Sequence, residues 1–359
     1  MNMGGRVHGE ITAFAPGRVN LIGEHTDYNG GLALPFAISD GVTVRAVPSR
    51  DGRMHVWASD LDAHDSFDLK SPDRAGGWRA FARGAVAELS GAGHDLEAAR
   101  LEVTGSVPRG SGLSSSAALE VALCLALLAL SDSALPDRLD LAAVCSRIEN
   151  DWVGARTGML DQIASLFGEP DRALRIDFAT LDVTPVDLVL GGFTLVTLDS
   201  GEQHANAGHG DDDDESDEDG YNQRRAECVR ACELLGVETL SQATLEQADE
   251  LPDPLGARAR HVITENQRVR DAVSALEDHD LERVGELLNA SHASLRDLYE
   301  ISTPAVERTV QRLRDHGAIG ARIMGGGFGG YVIGLLAPGA RAPEDAIAVA
   351  PGPGARIVG

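Results

Sequence analysis

Residues 117–130 read AALEVALCLALLAL, apolar at almost every position, and predict a helix buried on all sides. Elsewhere the apolar positions recur at helical spacing, over 78–89, 139–150, 159–167, 221–235, 258–276, 280–299 and 304–316. Alternation marks strands at 97–104, 173–177 and 193–198. The stretch 12–20, TAFAPGRVN, begins as a strand and breaks at Pro16 and Gly17. VTVRAV and MHVWAS, separated by residues 48–53, predict a two-stranded hairpin over 43–59. A glycine-rich stretch in 320–336 leads into a last strand. Strands and helices mixed in this way imply an α+β protein. At 359 residues two cores are expected, which we divide at 1–185 and 186–359. No internal repeat is evident.

The apolar run 121–130 ends at Ser131 and Asp132, too short to span a bilayer, so it reads as core. The first ten residues, MNMGGRVHGE, hold no apolar signal region, and a cytoplasmic protein is expected. Cys124, Cys145, Cys228 and Cys232 lie in apolar, helical segments and are expected to be reduced. Charge changes the picture more. With 31 basic and 56 acidic side chains the net charge is −25, a surface that repels nucleic acid and anionic membrane. Lys70 is the single lysine, and every other basic residue counted there is arginine. An acid-rich, lysine-poor chain suits high salt, where counterions screen its self-repulsion. The melting temperature should therefore climb steeply between dilute buffer and molar salt in a thermal scan, and a flat response would refute a halophilic origin of the charge.

One lysine also excludes mechanisms. Lys70 sits in DLKSPD, outside any GxxxxGK[ST] loop and any Val-Ala-Ile-Lys strand, so neither a P-loop nor a protein-kinase site is present. Phosphate chemistry here must use backbone dipoles, magnesium and arginine. The candidate is residues 107–120, VPRGSGLSSSAALE, a Gly/Ser loop running into the buried helix. A helix start offers bare N–H groups and the positive end of the macrodipole to a phosphate. A serine N-cap on a core helix reads equally well from this stretch alone.

Residues 21–31, LIGEHTDYNGG, gather Glu24, His25, Asp27, Tyr28 and Asn29 into a polar cup able to bond several hydroxyls, or else into a solvated turn. Asp161 falls in the first turn of the 159–167 helix, behind Gly154 and Gly158. The helix dipole favours its ionised form there, as suits a proton acceptor or orienting group, or merely a helix stabiliser. The block GDDDDESDED, containing the insertion 211–219, reads as a solvated loop.

Taken together, three motifs resemble the GHMP small-molecule kinase superfamily and, within it, the galactokinase branch. They are GRVNLIGEHTDYN at 17–29, PRGSGLSSSA at 108–117 and GGGFGG at 325–330, with fainter likeness in MLDQ at 159–162, YNQRRAEC at 221–228 and SHASLRDLYEIS at 291–302. The resemblance implies two α+β domains with the active site between them, and ATP and galactose as substrates of a magnesium-dependent monomer. It implies that Arg18 and Asp161 are catalytic, and that Glu24, His25, Asp27, Gly158 and Tyr221 bind the sugar. Gly110, Ser111, Gly112, Leu113, Ser114, Ser115 and Ser116 would bind ATP, with Ser116 and Glu149 on magnesium. A kinase of a related sugar such as N-acetylgalactosamine, or a non-catalytic sugar and ATP sensor, is the alternative. Two departures from the pattern stand out. The acidic insertion is expected to displace Tyr221, and the Pro- and Gly-rich end after Leu336 lacks the closing helix expected of the family.

Overall fold

The computed structural model describes residues 9–107, 112–155, 157–202 and 218–358. Gly110, Ser111 and the acidic residues 211–217 lie outside the described residues. The first half runs β1 (Ile11–Asn20), β2 (Leu32–Ala33), β3 (Pro35–Pro48), β4 (Arg53–Ala58), β5 (Ala63–Asp68), α1 (Arg79–Gly91), β6 (Ala99–Gly105), α2 (Ser115–Leu130), α3 (Arg138–Arg147), α4 (Leu160–Phe167), β7 (Arg172–Asp177) and β8 (Asp182–Asp187). The second runs β9 (Thr194–Asp199), α5 (Glu218–Leu235), α6 (Leu245–Asp249), α7 (Leu255–Glu277), α8 (Leu281–Asp297), α9 (Pro304–Asp315), β10 (Ala318–Ile323), β11 (Tyr331–Leu336), β12 (Ile347–Val349) and β13 (Arg356–Ile357).

A six-stranded sheet in the order β13-β1-β3-β6-β4-β5 carries α2 against β1 and β3. Leu123 and Leu127 of α2 are both buried, each contributing about 1.5–3 kcal/mol by leaving water. A four-stranded antiparallel sheet, β10-β11-β9-β12, forms the second half's scaffold, with α8 and α9 packed on β10. β2, β7 and β8 make a third, smaller sheet. Among the described residues no helix is long and apolar enough to cross a membrane.

Three local expectations are corrected. The hairpin over 43–59 does not form: β6 lies between β3 and β4, parallel to the latter, and β4 takes β5 as its hairpin partner. Alternation identifies the strands but not their neighbours, since pairing is set by burial across the whole sheet. The break at Pro16 and Gly17 is instead a β-bulge within the continuous β1, where the register to β3 shifts between Pro16 and Arg18. The helix expected over 139–150 is α-helical only to Arg147 and then widens into a π-helical turn, Ile148–Val153, closed by Gly154 in the left-handed region.

The end after Leu336 holds no helix among the described residues, in keeping with its Pro- and Gly-rich sequence, and two short strands take that place. β12 completes the second sheet against β9, and β13 returns to the edge of β1.

Candidate active site

Arg18 follows directly on the bulge in β1. Its neighbour Gly17 has no room for a side chain, because a Cβ there would stand 2.4 Å from the carbonyl oxygen of Leu113. The backbones therefore touch, Arg18 N–H bonding Leu113 O at 3.0 Å, while Arg18 Nη1 donates to Gly112 O at 2.6 Å. The rest of the guanidinium forms a fork on Asp161, Nε to Oδ1 at 2.6 Å and Nη2 to Oδ2 at 2.8 Å. A bidentate pair of this kind fixes both orientation and charge. The Asp161 side chain, in the first turn of α4, remains 24% exposed, so a substrate can reach it.

Ser114 completes this cluster. It occupies the N-cap position of α2 with a left-handed backbone (φ 59°), yet its side chain does not cap the helix. The hydroxyl donates instead to Asp161 Oδ2. The simple N-cap reading of this serine therefore fails, since its hydroxyl is bonded to the carboxylate.

Two residues on, Ser116 Oγ donates to Glu149 Oε1 at 3.0 Å. Glu149 sits in the π-helical turn, whose wider ring re-aims a side chain within an otherwise regular helix. Its Oε2 accepts from Thr157 Oγ1 at 2.8 Å and Gln162 Nε2 at 2.7 Å, and Gln162 Nε2 also reaches Glu120 Oε2 at 3.1 Å. Burial raises the Glu149 pKa, and the nearby charge of Asp161 adds to the effect. Burial also pushes the fully enclosed Glu120 well above the usual carboxylate range, with Glu149 contributing. Among the described residues no group of three or more His, Cys, Asp or Glu is placed to hold a metal.

The polar cup faces this cluster from residues 24–28. Asp27 opens a short 3-10 turn, and Gly158 lies so close that a Cβ would stand 2.0 Å from Asp27 Oδ2. Desolvation raises the Asp27 pKa to about 6, with the charges of Asp161 and Glu24 adding to the rise. His25 is buried with φ 60°, and burial, with the neighbouring imidazole of His261 adding to the effect, lowers its pKa to about 3, leaving the ring neutral. Its Nδ1 meets Tyr28 Oη at 2.7 Å, which meets Tyr299 Oη at 2.9 Å, which meets Cys228 Sγ at 3.1 Å. Its Nε2 is buried and hydrogen-bonds to no partner among the described residues. A buried polar atom of this kind is a place for a ligand to bond.

Tyr221 is not displaced by the insertion. α5 brings its ring to 5.5 Å from that of His25 and 5.8 Å from that of Tyr28. The glycines at 325–330 allow close approach of chain to chain. Gly325 N–H donates to Glu24 Oε1 at 3.0 Å, and a Cβ on Gly327 would stand 2.4 Å from Ile301 Cβ. They serve the cup side of the site, where Arg322 Nη2 also reaches Glu24 Oε1, at 3.1 Å. Sequence reasoning missed Arg322, Tyr299 and Gln162; the first lies 298 residues from its partner and no local pattern marks it.

The galactokinase galactose-binding signature matches residues 4–48, the GHMP kinase N-terminal domain residues 79–169 and the GHMP kinase C-terminal domain residues 272–350. The chain is 43% identical to a galactokinase of Mycobacterium tuberculosis, over 92% of this chain and 90% of that one. It is 38% identical to a galactokinase of Thermotoga neapolitana, over 91% and 89%. Its structure resembles that of Lactococcus lactis galactokinase complexed with galactose, with a TM-score of 0.87, 32% identity and coverage of 98% and 96%. Mevalonate kinase of Methanococcus jannaschii shares the fold at a TM-score of 0.65 and 18% identity. With an arginine-clamped carboxylate at a helix start beside a polar cup, and these relatives along nearly its whole length, the chain belongs to the galactokinase family of ATP-dependent sugar kinases within the GHMP superfamily.

Proposed function

We propose that the chain transfers the γ-phosphate of ATP to the C1 hydroxyl of galactose, giving galactose 1-phosphate, in the cytoplasm. The observation that carries the reading is the Arg18–Asp161 fork next to the cup formed by Glu24, His25, Asp27, Gly158 and Tyr221. In this reading Asp161 orients or deprotonates the C1 hydroxyl, and Arg18 stabilises the charge that develops on the phosphoryl group. Asp27, Glu24 Oε2 and the unpartnered His25 Nε2 take the remaining sugar hydroxyls.

The triphosphate is assigned to the start of α2, where Ser115 and Ser116 begin the helix and the first N–H groups lack intrahelical partners. Ser116 and Glu149 fit magnesium: both offer oxygen, which hard cations prefer, and the buried Glu149 carboxylate has a raised pKa that a cation would counter. Magnesium, when bound there, would neutralise charge on the phosphates. A single carboxylate with a hydroxyl is enough, since such ions take most other ligands from nucleotide and water.

The test is release of ADP from ATP, in molar salt, with galactose, glucose and N-acetylgalactosamine offered in turn. Galactose should give the highest kcat/KM. Faster turnover of either other sugar would overturn the substrate assignment, and galactose binding without ADP release would favour the sensor.

Asp27 gives the site a pH dependence. A carboxylate with a pKa of about 6 is ionised above that pH and protonated below it, so its capacity to accept sugar hydroxyls fades as pH falls. The galactose KM should rise about tenfold per unit below pH 6, with the ATP KM flat. Asp27→Asn should remove the inflection, and an inflection that persists in the variant would assign it to another group.

A further inference from the structure

The turn that carries Glu24 and His25 bends through two left-handed residues, Gly23 at φ 98° and His25 at φ 60°. A histidine in that region is uncommon and needs its surroundings to hold it. The holding groups come from the other half of the chain. Glu265 of α7 accepts the Gly23 N–H on Oε1 at 3.0 Å. The same oxygen takes Ser291 Oγ at 2.6 Å, and Oε2 takes Arg268 Nε at 2.6 Å.

One helical turn earlier, His261 Nε2 lies 3.2 Å from the carbonyl oxygen of Glu24, with its Nδ1 2.8 Å from Ser294 Oγ. A carbonyl can only accept, so Nε2 carries the proton and Nδ1 accepts from the serine. From β10, Arg322 spans Leu21 O at 2.8 Å, Asn20 O at 2.6 Å and the Glu24 carboxylate. Glu265, His261 and Arg322 are all fully buried.

Burying ionic groups is a poor way to stabilise a domain contact, because apolar residues of like size do as well or better. These three are placed where each meets a backbone group, or the carboxylate itself, of the sugar-binding turn. We propose that Glu265 is a positioning residue for the sugar: with His261 and Arg322 it clamps the 20–25 turn from the second half of the chain, so that Glu24 and His25 are set before the sugar arrives. The proposal rests on the assignment of Glu24 and His25 to the sugar. Preorganisation of this kind acts on sugar affinity and leaves the nucleotide side untouched.

The experiment compares Glu265→Ala and Glu265→Gln by galactose calorimetry without ATP, by the KM of each substrate, and by thermal melting. Glutamine keeps an oxygen for the Gly23 N–H and Ser291 but loses the charge facing Arg268. It should melt lower yet hold galactose within about twofold to threefold of wild type. Alanine removes the clamp and should weaken galactose binding and raise its KM about tenfold to a hundredfold, with the ATP KM unchanged. Equal melting losses in both variants with galactose affinity unchanged would overturn the proposal, as would a matching rise in the ATP KM.

Should the alanine variant fail to fold, His261→Phe preserves the ring packed 4.5 Å from Tyr299 while deleting the donor to Glu24. A raised galactose KM with an unchanged ATP KM supports the clamp, and an unchanged galactose KM overturns it. Wild-type protein that binds galactose but releases no ADP would refute the kinase reading and leave the clamp standing.

Discussion

Asp161→Asn should lower kcat by at least about a hundredfold, the scale of removing a positioned general base, while galactose affinity falls by far less. The amide is nearly isosteric and can stay in place, but it carries no charge and presents an N–H₂ where one oxygen now accepts. Three donors converge on the native carboxylate: Arg18 Nε, Arg18 Nη2 and the Ser114 hydroxyl. An Asn can accept with one atom only, so part of this cluster must turn away. The measurement is steady-state turnover by coupled ADP release together with galactose calorimetry. Equal rates would remove Asp161 from the mechanism, and loss of galactose binding in proportion to kcat would make it a binding residue.

Arg18→Met should be as damaging, with kcat reduced about 10²- to 10³-fold, as for deletion of a donor that stabilises transition-state charge. Arg18 has two tasks that the structure joins in one side chain. Its fork orients Asp161, and its Nη1 holds the Gly112 carbonyl at the end of the Gly/Ser loop that leads into α2. Arg18→Lys separates them, since an ammonium restores charge without the planar fork. It should recover part of the lost rate and leave the orientation defect. Because Arg18 and Asp161 act as one unit, Arg18→Met combined with Asp161→Asn should cost little more than either change alone. Additive losses in that double variant would show that the two residues act separately.

Much of this was legible in the sequence wherever the signal is local. The apolar run at 117–130 matches α2, Ser115–Leu130, and the 3.6-residue periods mark α7, α8 and α9. Asp161 could be placed in the first turn of its helix from the glycine ahead of it and the apolar pattern after it. The cup residues were recognisable because so many polar groups between two apolar segments need a reason to be there.

Pairing was not legible. Residues 43–48 and 53–58 alternate well, but β6 enters between the strands they belong to, its residues pairing with positions far back along the chain, as His55 with Arg100. The widening of the helix at Ile148–Val153 was equally hidden, since no composition distinguishes a π-helical turn that tertiary contacts support.

At 107–120 the chain itself determined that a small-residue loop opens into a fully buried helix, and the shortage of lysine determined that any phosphate there must be met by backbone, cation and arginine. Only the fold decided what each serine does. Ser114 turns to Asp161 and Ser116 to Glu149, because α4 and the π-helical turn arrive from 47 and 33 residues away. The same holds for the cup, whose shape is secured by Glu265 and Arg322 from the far half of the chain. Helical period and helix-start chemistry act over a few residues and are written locally. The partner of a buried charge depends on which distant segment fills the space beside it, and that is settled only when the chain packs.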